Sequence, residues 1–345
     1  MNEPCDAAPS FSAHLDLPIL PVFSVLADGA ERSITALARA AAVTAAEVES
    51  VLRMLAEAGV ALRRVGDAVQ LPTAFVPLDA GRIKAALAAQ RAWDVRVVGA
   101  VASTNSELLR QARGGARFAT PALLATEIQS AGRGRQGRSW QSTAGASLTV
   151  SYALTIARGL AGLSGLSLTC GLAVRDVLAA HGVAAQLKWP NDVLIDDCKL
   201  AGILVEAHPL HAAASIVVVG IGINIAPDAA RALRMAPDGL PAIAMQSAGA
   251  PHPDRNALAA GFADALGERL ARFSDAGFAA FSREWNAAHA FSDRRVRLVE
   301  SDGAVIEGVA RGVDATGRLL LDSADGMRAV VAGDVSLRRL SYAAA

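Results

Sequence analysis

Gln129-Ser-Ala-Gly132-Arg133-Gly134-Arg135-Gln136-Gly137-Arg138-Ser139-Trp140 sets three glycines among three arginines, with no acidic residue. Glycine lets backbone N–H groups approach a ligand closely, and arginine offers a fixed fork of donors to phosphate. The segment is expected to hold a phosphate or a nucleotide. Gly132, Gly134 and Gly137 fit the spacing of the dinucleotide fingerprint. Gly132 to Ser139 fits a P-loop with Arg138 in place of lysine. Both motifs need a helix directly after the glycines, its N-terminus facing the phosphates. Trp140 is instead succeeded by Gln-Ser-Thr-Ala-Gly-Ala and then by Ser147-Leu-Thr-Val-Ser-Tyr-Ala-Leu154, which alternates as a strand does. The strand removes both motifs, and a different nucleotide site is required.

Composition narrows the setting. The 345 residues are 52% hydrophobic, 19% charged and 4% aromatic, enough for two or three domains and a sizeable core. Lys+Arg and Asp+Glu both number 33, so bulk charge favours neither nucleic acid nor a membrane surface, and phosphate affinity must be local. Cys5, Cys170 and Cys198 are scattered and odd in number, which suits a reducing compartment and offers no zinc spacing. Met1 to Phe11 lacks the basic and apolar regions of a signal peptide, and no apolar run reaches spanning length. A cytoplasmic protein without a membrane segment is expected.

Around the arginine loop the chain divides into three textures. After a flexible tail (1–16), residues 17–78 read as three short helices and a hairpin. Ser33 caps the second helix. Thr44 and Glu47 form a capping box on the third, whose apolar face is Val48, Val51, Leu52, Leu55 and Ala58. A Gly66-Asp67 turn joins the hairpin strands. This is the arithmetic of a winged helix-turn-helix. A small helical cap is the competing reading, because Glu47 and Glu49 on the third helix would face a phosphate-rich groove, offset only in part by Arg53, Arg63 and Arg64.

Residues 79–290 alternate strands with helices. Val95–Val101, Pro121–Ile128, Ser147–Leu154, Ala185–Trp189, Val193–Ile195, Lys199–Ala207 and Ser215–Ile225 read as strands. Helices are expected from Ser103-Thr104-Asn105, with Thr104 and Glu107 as a second capping box, over Leu163–Ala180, Arg255–Phe273 and Phe278–Ala288. Hairpin-linked strands outnumber helix crossovers, so the class is α+β, a mixed sheet with helices on one face. Residues 291–342 read as short strands joined by Asp-Gly and Thr-Gly turns, a small β-barrel.

Other strings carry chemistry. In Lys188-Trp189-Pro190-Asn191-Asp192, Pro190 forbids helix and fixes where its neighbours point, although taken alone the string is more simply a hairpin turn. Lys199 opens a nearly continuous apolar strand, Lys199-Leu-Ala-Gly-Ile-Leu-Val-Glu206, where a sheet-edge lysine is the plainer account. Gly202, Gly220 and Gly222 suggest that something lies flat on the sheet, and Asn224 either meets a ligand or caps the strand end.

In order and spacing, Ser103-Thr104-Asn105, the Gln129–Arg138 loop, Lys188–Asp192, Lys199–Glu206 and Gly222-Ile-Asn224 together resemble the biotin–protein ligases. Arg311-Gly-Val-Asp314 with Gly317, and Gly333-Asp-Val-Ser-Leu-Arg338, look like that family's C-terminal barrel. With the N-terminal helices, the resemblance is to the bacterial class that joins ligase and biotin operon repressor in one chain, from about Leu17 onward.

The resemblance implies a winged helix-turn-helix, a central domain of the lipoate ligase-like, class II synthetase-like kind, and an SH3-like barrel. It implies that biotin's carboxylate is coupled to the α-phosphate of ATP. Biotin then passes from biotinoyl-AMP to a lysine of biotin carboxyl carrier protein, the acetyl-CoA carboxylase subunit. Lys199 and Arg135 are implied in catalysis. Ser103, Thr104, Asn105, Gln129, Arg133, Gly134, Arg135 and Lys199 are implied around biotin, and Arg133, Arg138, Trp140, Lys188, Asn191 and Asn224 around the nucleotide. Asp192 is implied as a support for Mg²⁺. Operator DNA would meet Thr44, Ser50, Arg53, Arg63 and Arg64, and ligand binding would promote a homodimer through the central sheets. Gln136 departs from the pattern, since the family commonly has a basic residue there. The alternatives are a ligase whose N-terminal module does not bind DNA, and a lipoate ligase.

Overall fold

The computed structural model describes residues 17–89, 91–227, 240–250, 253–299, 304–331 and 336–339. The expected tail, Cys5 and the Gly333-Asp-Val part of the C-terminal motif lie outside them.

α1 (Ile19–Leu26) follows Pro18 without a side-chain cap, whereas α2 (Ile34–Ala41) and α3 (Ala45–Glu57) begin where their caps demand. Ser33 Oγ accepts from Ala36 N, and Thr44 and Glu47 exchange both bonds of the capping box. Val48, Val51, Leu52 and Leu55 are buried as expected, but Ala58 at the C-cap is exposed. β1 (Arg32–Ser33), β2 (Arg63–Val65) and β3 (Ala68–Gln70) form an antiparallel sheet in the order β1-β3-β2. β1 is too short to carry a periodic signal in the sequence. The core under these elements is not closed, because Ala100 and Ile128 of the large sheet belong to it. Gly99 admits the closest approach, where a Cβ would press on Ile19 of α1 at 2.5 Å.

After α4 (Ala80–Ala86) come β4 (Asp94–Val101), α5 (Thr104–Arg113), β5 (Ala122–Gln129), β6 (Ser147–Ile156), α6 (Leu166–Ala180), β7 (Gln186–Lys188), β8 (Asp192–Ile195), β9 (Cys198–His211), β10 (Ala214–Asn224), α7 (Arg255–Ala276) and α8 (Ser282–Ala287). The seven strands lie in the order β4-β5-β6-β10-β9-β8-β7, with β4 and β5 parallel and the rest antiparallel. α5 makes the crossover that a parallel pair requires. No described helix is long and apolar enough to cross a membrane.

Four expectations need correction. Helices do not sit on one face only. Leu123, Ala125, Tyr152 and Val219 face the core shared with α6 and α7, whereas Leu124, Ala153 and Val218, of opposite parity, pack against Leu108 and Leu109 of α5. The cap of α5 is Ser103, whose Oγ accepts from Ser106 N at 3.4 Å, and Glu107 bonds Arg110 and Gln111 instead of closing a box with Thr104. Starting the helix one residue early turns Thr104 inward. Finally, α6 starts at Leu166, because Gly165 takes φ +77, and the expected Phe278–Ala288 helix is a 3₁₀ turn followed by α8.

β11 (Arg295–Val299), β12 (Val305–Val313), β13 (Leu319–Ser323), β14 (Gly326–Val330) and β15 (Ser336–Arg339) form a second antiparallel sheet, in the order β14-β13-β12-β11-β15. Its buried side merges with the central core, and the Trp189 indole N–H donates to Gly317 O at 3.2 Å.

One buried ion pair ties the segment after β3 to the central sheet. Arg255 at the start of α7 contacts both oxygens of Glu127 in β5, at 2.8 and 2.9 Å, and also donates to Val76 O and Ser147 O. Glu127 accepts from Leu78 N as well. Arg255→Ala would leave the Glu127 carboxylate buried and uncompensated, at a cost of about 3–5 kcal/mol. The urea midpoint should fall accordingly, and a midpoint equal to that of the unsubstituted chain would show that the pair carries little.

Candidate functional site

The site lies on the α5 face of the large sheet, where β9 and β10 lack side chains. Gly222 pairs with Gly202, and the same transverse row continues through Thr149 of β6 to one side and Asp192 and Lys188 to the other. On this bare floor lies the indole of Trp140. A Cβ on Gly222 would overlap the ring, and one on Gly202 would come within 3.1 Å of it. Gly220 makes similar room for the Asn105 amide. The flat bodies that the glycines call for are thus side chains of the protein itself.

The glycine–arginine loop folds back as a narrow hairpin. Trp140 N donates to Gly132 O and Gly134 N to Arg138 O, at 2.8 and 2.7 Å, around a 3₁₀ turn at Arg135–Gly137. Gln136 and Gly137 are both left-handed, with φ of 56 and 68. A non-glycine residue at positive φ is uncommon, and here Gln136 holds the apex of the turn.

At the other end, Lys188 and Lys199 share one carboxylate. Lys199 Nζ is 2.6 Å from Asp192 Oδ1, and Lys188 Nζ is 3.0 Å from Oδ2. Burial alone would raise the Asp192 carboxyl, but the two ammonium groups outweigh it and hold it below the usual carboxylate range. Lys199 reaches this face through a β-bulge. β8 pairs Val193 with Ala201 and Leu194 with Lys199, so Leu200 and Ala201 both turn into the core and Lys199 swings over to the side of Gly202. Its ammonium stands 5.7 Å from the centroid of the Trp140 ring.

A chain of polar contacts spans the remaining wall. Gln129 Oε1 accepts from Thr104 N at 2.9 Å, Thr104 Oγ1 lies 2.7 Å from Ser151 Oγ, and Ser151 Oγ donates to Asn105 Oδ1 at 2.7 Å. Asn105 Nδ2 then donates to Glu206 Oε2 at 2.9 Å, and Arg133 Nη2 donates to the same oxygen at 2.5 Å.

These groups enclose a cavity of about 150 Å³, roughly ten times the space one water needs. Ser103, Thr104, Asn105, Gln129, Arg133, Gly134, Arg135, Arg138, Trp140, Lys188, Asn191, Asp192 and Lys199 all line it. Five of these side chains are basic and one is acidic, so the cavity suits an anion. Of the implied ligand contacts, only Asn224 stays away. It is buried at the end of β10, two residues beyond Gly222, with Nδ2 donating to Lys199 O and Ile243 O. The Mg²⁺ assignment to Asp192 does not fit, because both of its oxygens already serve lysines. Among the described residues no group of three or more His, Cys, Asp or Glu could hold a metal ion. Ser151 and Glu206 are contributors that sequence reading did not assign. Glu206 ended a quoted string, and an acid closing an apolar strand was the available signal.

The residues implied at DNA are not gathered in the same way. Thr44 is used by its capping box, and Ser50 Oγ donates to Ala46 O. Arg64 is paired with Glu49 of α3 at 2.6 Å, while Arg53 and Arg63 are exposed.

Residues 98–224 match the biotin/lipoate A/B protein ligase family, and residues 291–338 match the biotin protein ligase C-terminal domain. The bifunctional ligase/repressor BirA of Salmonella typhimurium is 35% identical over 323 residues, which cover 92% of this chain and 97% of that protein. The chain belongs to the biotin–protein ligases. The biotin--[acetyl-CoA-carboxylase] ligase of Mycobacterium tuberculosis is 37% identical over 246 residues, covering 69% of this chain and 87% of the relative. Among solved structures, the Aquifex aeolicus biotin protein ligase in complex with biotin and ATP has a TM-score of 0.58 at 25% identity, covering 72% of this chain and 99% of that one. The strands and loop that carry the polar wall and the lysine cluster lie within the segment that matches this family.

The glycine floor yields a direct test. Gly222→Ala should push the Trp140 indole off the sheet, shift the tryptophan emission and weaken nucleotide binding by about tenfold, the loss of roughly 1.4 kcal/mol of ring contact. Unchanged emission and affinity would show that the floor tolerates a methyl group.

Proposed function

We propose that this chain activates biotin with ATP to biotinoyl-AMP and transfers biotin to a lysine of biotin carboxyl carrier protein, the acetyl-CoA carboxylase subunit. The observation that carries this reading is one continuous cavity with a neutral polar wall at one end and the Lys188–Asp192–Lys199 cluster at the other. Biotin's ureido ring is neutral and needs several donors and acceptors, which Ser103, Thr104, Asn105 and Gln129 can supply. Its carboxylate then points along the glycine floor towards Lys199.

Two anions must meet for the first step, in which a carboxylate oxygen attacks the α-phosphorus and pyrophosphate leaves. Lys199, with Arg133, Arg135 and Arg138 on the loop, lowers the repulsion and stabilises charge on the phosphorus oxygens. In the second step the carrier lysine attacks the carbonyl carbon and AMP departs with the bonding pair. Asp192 holds the Lys199 ammonium in place. Trp140 and Lys188 wall the nucleotide side, and Asn191 is held there by its bond to Ile203 O. Asn224 would reach a nucleotide only if the segment bonded to it moved. The loop over the mixed anhydride excludes water.

In this reading residues 1–16 are a tail, 17–78 a winged helix-turn-helix, 79–290 the catalytic domain and 291–342 an SH3-like barrel. A second role as biotin operon repressor, with biotinoyl-AMP as corepressor, is favoured by the relatives named bifunctional ligase/repressor. The Arg64–Glu49 pair bears on it too, since it masks acid on α3 that would otherwise face phosphate. For a homodimer through the central sheets, the support is the edge of β9 beyond Gly202, which β8 is too short to pair.

Incubation with biotin, Mg·ATP and a carrier domain should add one biotin mass to a single carrier lysine. Lys199→Ala should abolish pyrophosphate release while leaving the circular dichroism intact. Normal release by that variant would remove Lys199 from the chemistry, and a preference for lipoate over biotin would reassign the substrate. A gel shift on the biotin-operon promoter should appear only with biotin and ATP present. Its absence at low salt would leave a ligase alone.

A further inference from the structure

We propose that Glu206 is a positioning residue that fastens the glycine–arginine loop to the polar wall of the cavity, an inference that rests on the ligase reading for its catalytic consequence only. Glu206 stands on the α5 face of β9, two residues beyond Leu204 and opposite Val218 of β10. A single oxygen, Oε2, receives both Asn105 Nδ2 and Arg133 Nη2. Asn105 lies on the helix after β4, and Arg133 lies on the loop after β5. One carboxylate oxygen thus joins the loop to α5.

The charge has two effects. A carboxylate accepts and cannot donate, so together with Leu204 O, which accepts from the same Nδ2 at 3.2 Å, it selects the Asn105 rotamer with the NH₂ towards Glu206 and Oδ1 towards the Ser151 hydroxyl. Flipping that amide would set oxygen against oxygen. The same carboxylate gives Arg133 a charge-assisted hydrogen bond, which is stronger and shorter than a neutral one. The contact chain that begins at Gln129 and passes through Thr104, Ser151 and Asn105 returns through Glu206 to Arg133, four residues further along the same loop. Whatever orders the head-group wall also orders the loop that covers the reacting end. Glu206 does not line the cavity, so it acts through Asn105 and Arg133 and touches no reacting atom.

Glu206→Gln keeps an acceptor for Asn105 and removes the charge that holds Arg133. The loop contains three trypsin sites, at Arg133, Arg135 and Arg138, so its release is measurable without any substrate. Tryptic cleavage within 129–140 should be about tenfold faster in Glu206→Gln than in the unsubstituted protein, the worth of one charge-assisted hydrogen bond. Equal cleavage rates, with equal urea midpoints, would overturn the proposal whether or not the protein ligates biotin. In the activity arm, single-turnover adenylate formation should change little, while bound biotinoyl-AMP should escape about tenfold faster. Equal loss in formation and retention would mean a structural defect instead of a latch. Without substrate, Arg133→Gln should speed tryptic cleavage at Arg135 and Arg138 to the same extent, and the double variant should be cleaved no faster than either single one. Additive effects would also overturn it, since two residues acting as one contact cannot be additive.

Discussion

The site depends on Gly222 facing Gly202 across β10 and β9. Two adjacent strands without side chains on one face leave a strip of backbone on which a ring can lie. That strip determines the depth of the cavity and the height of the loop above it. With a Cβ at either position, Trp140 would be lifted, and the loop strand bonded to it at Gly132 would have to rise as well. The polar wall and the lysine cluster stand on either side of this strip, at the separation the row of strands imposes.

The correction to the helix layering explains why the strip is usable. α6 and α7 cover the other face, where the apolar residues of β5, β6, β9 and β10 make the main core. On the site face α5 covers part of the sheet, and the strand ends at Ala100 and Ile128 pack against the N-terminal module. The first turn of α5 therefore projects Ser103, Thr104 and Asn105 over the strand ends. A fully covered sheet would have no room for a ligand, and a fully open one would have no wall.

The N-terminal module is more than an appendage in this arrangement. It shares Ala100 and Ile128 with the large sheet, and the segment after it is held by the Arg255–Glu127 pair. Glu127 and Gln129 lie on the same strand, two residues apart, so the pair that grips the linker also braces the strand carrying a wall residue. Packing of this kind gives the module and the site a common rigid support.

Much of the molecule was legible in the amino-acid order, because the signals were local. Ser33 and the Thr44–Glu47 box mark helix starts, the strand after Trp140 excludes two familiar phosphate motifs, and the spaced strings around Lys188 and Lys199 name the family. What the order could not decide was which side chains meet. The bulge at Leu200–Ala201 that turns Lys199 to the cavity depends on β8 being in place. The cap at Ser103, one residue before the expected box, is selected by Thr104 facing Gln129 and Ser151. Asn224 and Asp192, read as ligand contacts, are spent on backbone carbonyls and on two lysines. Glu206 gained its partners only when α5 and the loop were brought over β9. Most of these contacts join residues far apart in the chain, and even the short-range Lys188–Asp192–Lys199 cluster needs the register of β7, β8 and β9; a sequence pattern records local preference, whereas a contact is decided by the packing of the whole sheet.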